Sequence, residues 1–264
     1  MESTLRPTLY LIGDSTVRNE VRGQQGWGDP FAIYFDAARL RVVNRAIGGR
    51  SSRTFLTDGR WAKILADLRP GDFVVMQFGH NDGGPINDNS RARGTIRGVG
   101  EEAETIENLL TKQTEVVRSY GWYLRKYVSD TQAKGAHPIV CSPVPRKVWQ
   151  EGHLARDREA YASWARAVAN SAGATFIDLN EIISRGYEAL GPSAVEAFFA
   201  DERTHTTPAG AAYNAAAVVA GLKALPSHPL AVFLDDTAKS IDATTHPDDV
   251  IAPATASPSS APAL

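Results

Sequence analysis

Thr8-Leu9-Tyr10-Leu11-Ile12 is an apolar run that stops abruptly at Gly13-Asp14-Ser15-Thr16. The run is too short for a helix. It shows no alternation of polar and apolar residues, so it reads as a strand covered on both faces. Four more runs of that kind follow, at Arg41–Asn44, Phe73–Gln77, 138–141 and 175–179. Pro70-Gly71-Asp72 turns the chain into the third, and Gly173 punctuates the entry to the fifth. Between the strands the sequence predicts helices over 30–40, 61–68, 114–134, 158–172 and Pro208–Ala224. The last two are Ala-rich, and Thr206 or Thr207 is placed to cap the one that Pro208 opens. Strands alternating with helices define an α/β fold around a parallel sheet.

Two segments depart from the pattern. Residues 83–100 are polar and rich in Gly and Arg, and a connection of that length in a compact domain is usually functional or mobile. From Ile241 the chain turns to Ala, Pro, Ser and Thr, a composition that cannot bury enough apolar surface to order itself. The expectation is one domain over 1–240 followed by a flexible tail over 241–264.

The 264 residues carry 28 Lys+Arg against 30 Asp+Glu, so no net basic field is available to hold nucleic acid. A single cysteine, Cys141, excludes a disulfide framework and a CxxC redox pair. No apolar run is long enough to span a bilayer. Met1 is followed by no apolar leader, which predicts a cytoplasmic protein as the sequence stands, or an extracellular or periplasmic one whose signal peptide has been removed.

In an open parallel sheet the ligand site lies beyond the carboxyl ends of the strands. The residues there are Gly13-Asp14-Ser15-Thr16, Gly48-Gly49-Arg50-Ser51, Gly79-His80-Asn81-Asp82 and Asp201-Glu202-Arg203-Thr204-His205. They supply a hydroxyl, glycine-flanked amides, a side-chain amide and a carboxylate–imidazole pair. Serine acyl transfer needs that set: a nucleophile, a base held in one tautomer, and donors aimed at the developing oxyanion. Taken singly, each block is also a common turn or surface ion pair. Among the six histidines only His205 follows a carboxylate by three or four residues just before a helix. His137, His228, His246 and His153 read as structural or solvated, whereas His80 flanks the site. The chain has no GxSxG elbow, no phosphate-binding glycine loop and no HExxH cluster, so neither cofactor nor metal is expected.

The four blocks, in this order, resemble the SGNH or GDSL hydrolase superfamily. Gly26-Trp27-Gly28, Gly49-Arg50-Ser51, Gly79-His80-Asn81-Asp82-Gly83-Gly84 and His205-Thr206-Thr207-Pro208 are most similar to rhamnogalacturonan acetylesterases within it. The resemblance implies a three-layer α/β/α, flavodoxin-like fold with five parallel strands. It implies Ser15 as nucleophile, His205 as base, and Ser15, Gly49 and Asn81 as the oxyanion hole. The implied activity is removal of O-acetyl groups from pectic, rhamnogalacturonan-type carbohydrate, with an acetylated carbohydrate as partner. Acetylxylan or a small ester is the alternative substrate, and a non-catalytic carbohydrate-binding protein the alternative class. The resemblance also expects Asp-x-x-His, but Glu202 stands three residues before His205, with Asp201 one further back. Glu202 keeps the spacing and is favoured; Asp201 keeps the side chain. Trp27, Trp149 and His80, with Arg50, Arg53, Arg91, Arg93 and Arg97, are the candidate contacts to an acidic sugar chain.

Overall fold

The structure is a computed structural model that describes residues 6–156, 159–225 and 227–253. Its elements are, in chain order, β1 (Thr8–Gly13), β2 (Arg41–Asn44), α1 (Ser52–Thr57), α2 (Arg60–Asp67), β3 (Phe73–Gln77), β4 (Ala103–Glu107), β5 (Thr114–Arg118), α3 (Tyr120–Ala133) and β6 (His137–Cys141). They continue with β7 (Trp149–Gln150), β8 (His153–Leu154), α4 (Glu159–Ala172), β9 (Thr175–Ile177), α5 (Leu179–Leu190), α6 (Pro192–Glu196), α7 (Pro208–Ala224) and β10 (Val250–Ile251).

The main sheet runs β10-β9-β6-β3-β1-β2. The five strands β2, β1, β3, β6 and β9 are parallel, and β10 is antiparallel to β9. Successive side chains of each strand point to opposite faces, so one strand feeds two cores. Leu9 and Leu11 of β1 pack with Ile183, Tyr187 and Val218 of α5 and α7. Tyr10 and Ile12 pack on the other side with Phe55, Trp61, Leu124 and Ala165 of α1, α2, α3 and α4. The result is the three-layer sandwich, and the strand order reverses at β1, between β2 and β3. That reversal opens a crevice at the carboxyl ends of β1 and β3.

The structure corrects several element boundaries. Residues 114–134 are not one helix. Thr114, Val116 and Val117 favour extended backbone, pair in β5 against β4, and give way to α3 only where Ser119 accepts a hydrogen bond from the Trp122 amide. Residues 30–40 hold a single 3₁₀ turn, Phe31–Tyr34, because Phe35 leaves it to bridge to Leu234. β9 ends before residue 179, where Asp178 caps α5 by accepting from the Glu181 amide. Thr207 is the residue that caps α7. Arg158, expected to open a helix, lies outside the described residues.

Of the segment 241–264, expected as a tail, residues 241–253 are described and pack on the domain. Val250 and Ile251 form the sixth strand, Arg185 Nη2 meets Asp249 Oδ2 at 2.5 Å, and the Asp178 amide donates to the Asp249 carbonyl at 2.7 Å. These bonds hold the segment through residue 251 against β9 and α5; residues 254–264 lie outside the described part. Among the described residues no helix is long and apolar enough to cross a membrane.

Candidate active site

The site begins where β1 ends. A side chain at Gly13 would stand 2.5 Å from the Gln77 carbonyl, so the chain leaves β1 against β3 only as glycine. Asp14 then closes a turn: its Oδ1 accepts from the Thr16 amide at 2.8 Å and the Thr16 hydroxyl at 2.7 Å, and its carbonyl accepts from the Val17 and Arg18 amides. This lifts Ser15 to the rim. A second pass of the chain supports it, because the Trp27 amide donates to Thr16 O and the Gly28 amide to Val17 O, both at 2.9 Å. Gly26 allows that approach, since a Cβ there would lie 2.3 Å from the Val17 carbonyl carbon.

The imidazole arrives from the opposite end of the chain. His205 Nε2 is 2.9 Å from Ser15 Oγ, and its Nδ1 is 2.5 Å from Asp201 Oδ2. A carboxylate can only accept, which places the ring proton on Nδ1 and leaves Nε2 to accept from the serine hydroxyl. Asp201 Oδ1 is anchored independently by the amides of Arg203, Thr204 and His205, at 3.1, 2.7 and 2.9 Å. Burial pulls the Asp201 carboxyl upward, but the Thr204 and His205 amides and the His205 ring outweigh it and hold it below its usual value. Glu202, the favoured candidate for this position, is exposed on the loop and makes no such contact. One extra residue in the turn brings the shorter Asp201 to the ring instead. The His205 loop is tied to the segment that supports Ser15, with Thr206 Oγ1 donating to Gln25 O and the Gln25 amide to Thr206 O.

Gly49, at φ +78°, lies on the loop after β2 and takes a hydrogen bond on its carbonyl from Arg93 Nη1 at 3.0 Å. Asn81 follows β3, and its Nδ2 donates to Arg50 O at 2.8 Å. That bond orients the amide and uses one of its two protons. Ser15, Gly49, His80, Asn81 and His205 line one cavity of about 350 Å³, so the expected nucleophile, base and oxyanion donors are brought together.

Beneath them sits a buried polar cluster. Asp14 Oδ2 is 3.6 Å from His80 Nδ1, and Asp82 Oδ1 accepts from the Ser52 amide at 3.0 Å and from its hydroxyl. Burial pushes the Asp82 carboxyl up to about 7, aided by the nearby Asp14 charge and opposed by the Ser52 bonds. Burial also works against an ionised Asp14, but the His80 ring and the Thr16 donors prevail and hold it below the usual carboxylate value.

The substrate-contact candidates divide. Arg91 and Arg93 line the cavity that holds Ser15 with His80, and Arg97 lines the adjoining hollow. Trp27 does not reach either. It is fully buried, edge-on to Phe31, and its Nε1 donates to Gln77 Oε1 at 2.8 Å, while Gln77 Nε2 donates to Thr16 Oγ1 at 2.7 Å. Arg53 is likewise fully buried. It forms a forked pair with Glu115 at 2.7 Å for both contacts and binds the carbonyls of Ile86 and Gly94, bolting α1 to β5 and the 83–100 loop. Arg50 pairs with Asp58 at 3.0 Å and lines a neighbouring hollow, and Trp149 lies half-buried against the core on the β7–β8 hairpin. Arg146, Asn19, Gln24 and Val21 also line the cavity that holds Ser15, and sequence patterns do not single them out. Arg146 follows β6, where the same carboxyl-end rule would have found it.

Residues 11–213 match the GDSL-like Lipase/Acylhydrolase family. The chain belongs to that family and is a carboxylic ester hydrolase. It is 34% identical over 211 residues to a rhamnogalacturonan acetylesterase of Emericella nidulans, covering 80% of this chain and 82% of that one. It is 31% identical to the probable rhamnogalacturonan acetylesterase YesY of Bacillus subtilis, over 82% of this chain and 93% of the other. Among solved structures, the YxiM protein of Bacillus subtilis superposes with a TM-score of 0.66 at 27% identity, over 83% of this chain but only 56% of that longer protein. The acetylxylan esterase Axe2 of Geobacillus stearothermophilus shares the fold, with a TM-score of 0.54 at 20% identity over 81% of this chain and 92% of the other.

Proposed function

We propose that the protein is a serine carbohydrate esterase that removes O-acetyl groups from pectic, rhamnogalacturonan-type poly- or oligosaccharides. The observation that carries the reading is the Asp201–His205–Ser15 relay, converging with Gly49 and Asn81 on one cavity. Ser15 Oγ attacks the acetyl carbonyl while His205 Nε2 takes its proton, and the Asp201 carboxylate stabilises the resulting imidazolium. The tetrahedral oxyanion forms against the amides of Ser15 and Gly49 and the second Nδ2 proton of Asn81, donors fixed in place before the charge develops. His205 returns the proton to the sugar oxygen as it leaves. Water, activated by the same imidazole, then releases acetate from the acyl-enzyme.

Two facts support an acidic carbohydrate. The named relatives include rhamnogalacturonan acetylesterases, and Arg91, Arg93 and Arg146 line the cavity that holds Ser15. Guanidinium pairs with carboxylate in a forked geometry that a neutral xylan does not offer. Acetate release from acetylated rhamnogalacturonan and from acetylated xylan, measured with wild type and Ser15→Ala, tests the proposal. Release from the pectic substrate, abolished in the variant, is expected. Release mainly from xylan refutes the substrate, and activity surviving in Ser15→Ala refutes the mechanism.

A further inference from the structure

The catalytic cavity continues past its rim. Asn19, Val21 and Gly48, which line it, also line a hollow of about 610 Å³ walled by Arg18 and Arg60. Arg18 and Arg60 in turn line a third hollow of about 270 Å³ with Arg45, Lys63 and one carboxylate, Asp67, so four cations face a single acid there. The three hollows adjoin through these shared walls, in a series from Ser15 across the β2 loop to α2. Each part is the size of a site for a small organic fragment. Across the serine, His80, Asn81 and Arg93 are shared with the hollow that holds Arg97. Cations therefore stand on both sides of the nucleophile in a chain whose formal charge is −2.

The β2–α2 arm is a built surface, with its donors only partly used. Arg60 Nε is buried and has no hydrogen-bond partner among the described residues; its carboxylate neighbour, Asp58, is 3.8 Å away and already paired with Arg50 at 3.0 Å. Arg45 and Lys63 are exposed and have no ion-pair partner among the described residues. Arg18 is paired with Glu20, whose side chain is 79% exposed, and such a pair is readily exchanged for a ligand carboxylate. Val21, 59% exposed on the wall common to the first two hollows, offers an apolar patch to a sugar face.

We propose that this groove, formed by Arg18, Arg45, Arg60 and Lys63, is a binding site for the carboxylate-bearing residues that flank the acetylated sugar in an acidic polysaccharide. The polymer lies across Ser15 and is deacetylated within the chain rather than only at its end. The inference rests on the proposed reading of the site as an acidic-carbohydrate esterase.

The test compares wild type with Arg45→Glu/Lys63→Glu and with Arg60→Gln. kcat/KM is measured on acetylated rhamnogalacturonan polymer and on 4-nitrophenyl acetate across a sodium chloride series. Binding of deacetylated rhamnogalacturonan to the same variants is measured in a Ser15→Ala background. Reversing two exposed cations is expected to lower the polymer-to-small-ester ratio of kcat/KM about tenfold, through KM. It is also expected to flatten its salt dependence and to weaken polymer binding by a similar factor. A ratio, salt slope and affinity all within twofold of wild type overturn the groove. Thermal melting and turnover of the small ester verify that each variant is folded. Wild type that releases no acetate from the acidic polymer refutes the functional reading itself. Wild type that releases it, with variants that behave identically, refutes the groove alone.

Discussion

Asp201→Asn separates the two acidic neighbours and probes the relay where its geometry is most constrained. In the native loop Asp201 Oδ1 accepts three backbone N–H groups, so an asparagine there must keep its carbonyl oxygen at that position. A flipped amide would turn its own N–H groups against three donors. The Nδ2 of the variant is therefore forced to face His205 Nδ1, where the native Oδ2 lies at 2.5 Å. The ring nitrogen must then accept, which moves the imidazole proton to Nε2 and presents a donor to Ser15 Oγ in place of a base. In serine proteases the same wrong-tautomer change lowers kcat by about 10⁴, or about 5 kcal/mol at 1.36 kcal/mol per decade. A loss of about 10³–10⁴ in kcat is expected here, with melting temperature nearly unchanged because the three-amide anchor survives. Glu202→Gln, on the exposed side of the same turn, is expected to stay within twofold. The assay is acetate release or 4-nitrophenyl acetate turnover, with the downfield Nδ1 proton of His205 followed by NMR. Retention of more than a tenth of wild-type kcat by Asp201→Asn, or an equal loss in Glu202→Gln, would refute the reasoning.

Three further outcomes follow from the geometry. Asn81→Ala removes the proposed oxyanion donor and should lower kcat about 10²–10³-fold, with KM within threefold; initial-rate kinetics decide it, and a loss confined to KM assigns the amide to ground-state binding instead. Asp82→Asn should become more stable relative to wild type as pH rises. The folded protein holds the Asp82 proton up to about 7, whereas the unfolded chain releases it near 4, so wild-type stability falls between those values by up to about 4 kcal/mol. Urea denaturation at pH 4, 6 and 8 measures the gap, and parallel curves for the two proteins count against it. Trp27→Phe leaves Gln77 Oε1 without its donor in the core and should cost about 1–3 kcal/mol with substrate KM unchanged; a raised KM at unaltered stability would return Trp27 to the substrate.

Four of the five parallel strands, β1, β3, β6 and β9, are legible in the sequence because each is a short apolar run that the sheet covers on both faces, and Leu9, Val75 and Ile139 are fully covered; β2, read the same way, is instead a half-exposed edge strand. β10 is not legible, since Val250-Ile251 carries too little apolar surface to stand out and is held by pairing to β9 and by the neighbouring Asp249–Arg185 ion pair, both of which only the tertiary fold creates. The β4–β5 hairpin was hidden by a helical periodicity at Val117, Tyr120 and Leu124 that runs through the Ser119 boundary. Ser15, His205, Gly49 and Asn81 could be placed at one end of the sheet because they immediately follow strands or precede a helix. The acid could not be settled by counting, because its distance to the ring depends on the turn. The turn itself held a usable signal: capping three successive amides is a task for the short Asp side chain, and the extra methylene of Glu suits it poorly. Trp27 and Arg53 were misplaced for one shared reason. Aromatic and guanidinium groups that recognise sugars also make good internal struts, and composition does not tell the two apart.

The sheet's two margins have a consequence for how the molecule behaves in a crowd. An open sheet presents unpaired amides and carbonyls at each side, and such a row is a template on which another chain can stack. Here β2 has only four residues, beginning with the exposed Arg41, and the far side is closed by the two residues of β10 running against the parallel direction. Cutting the chain after Ser240 would remove that closing strand and bare the backbone of Phe176-Ile177, an aromatic and β-branched pair suited to intermolecular pairing. By covering that margin, the segment after α7 leaves the esterase scaffold a two-residue edge in place of an open core strand.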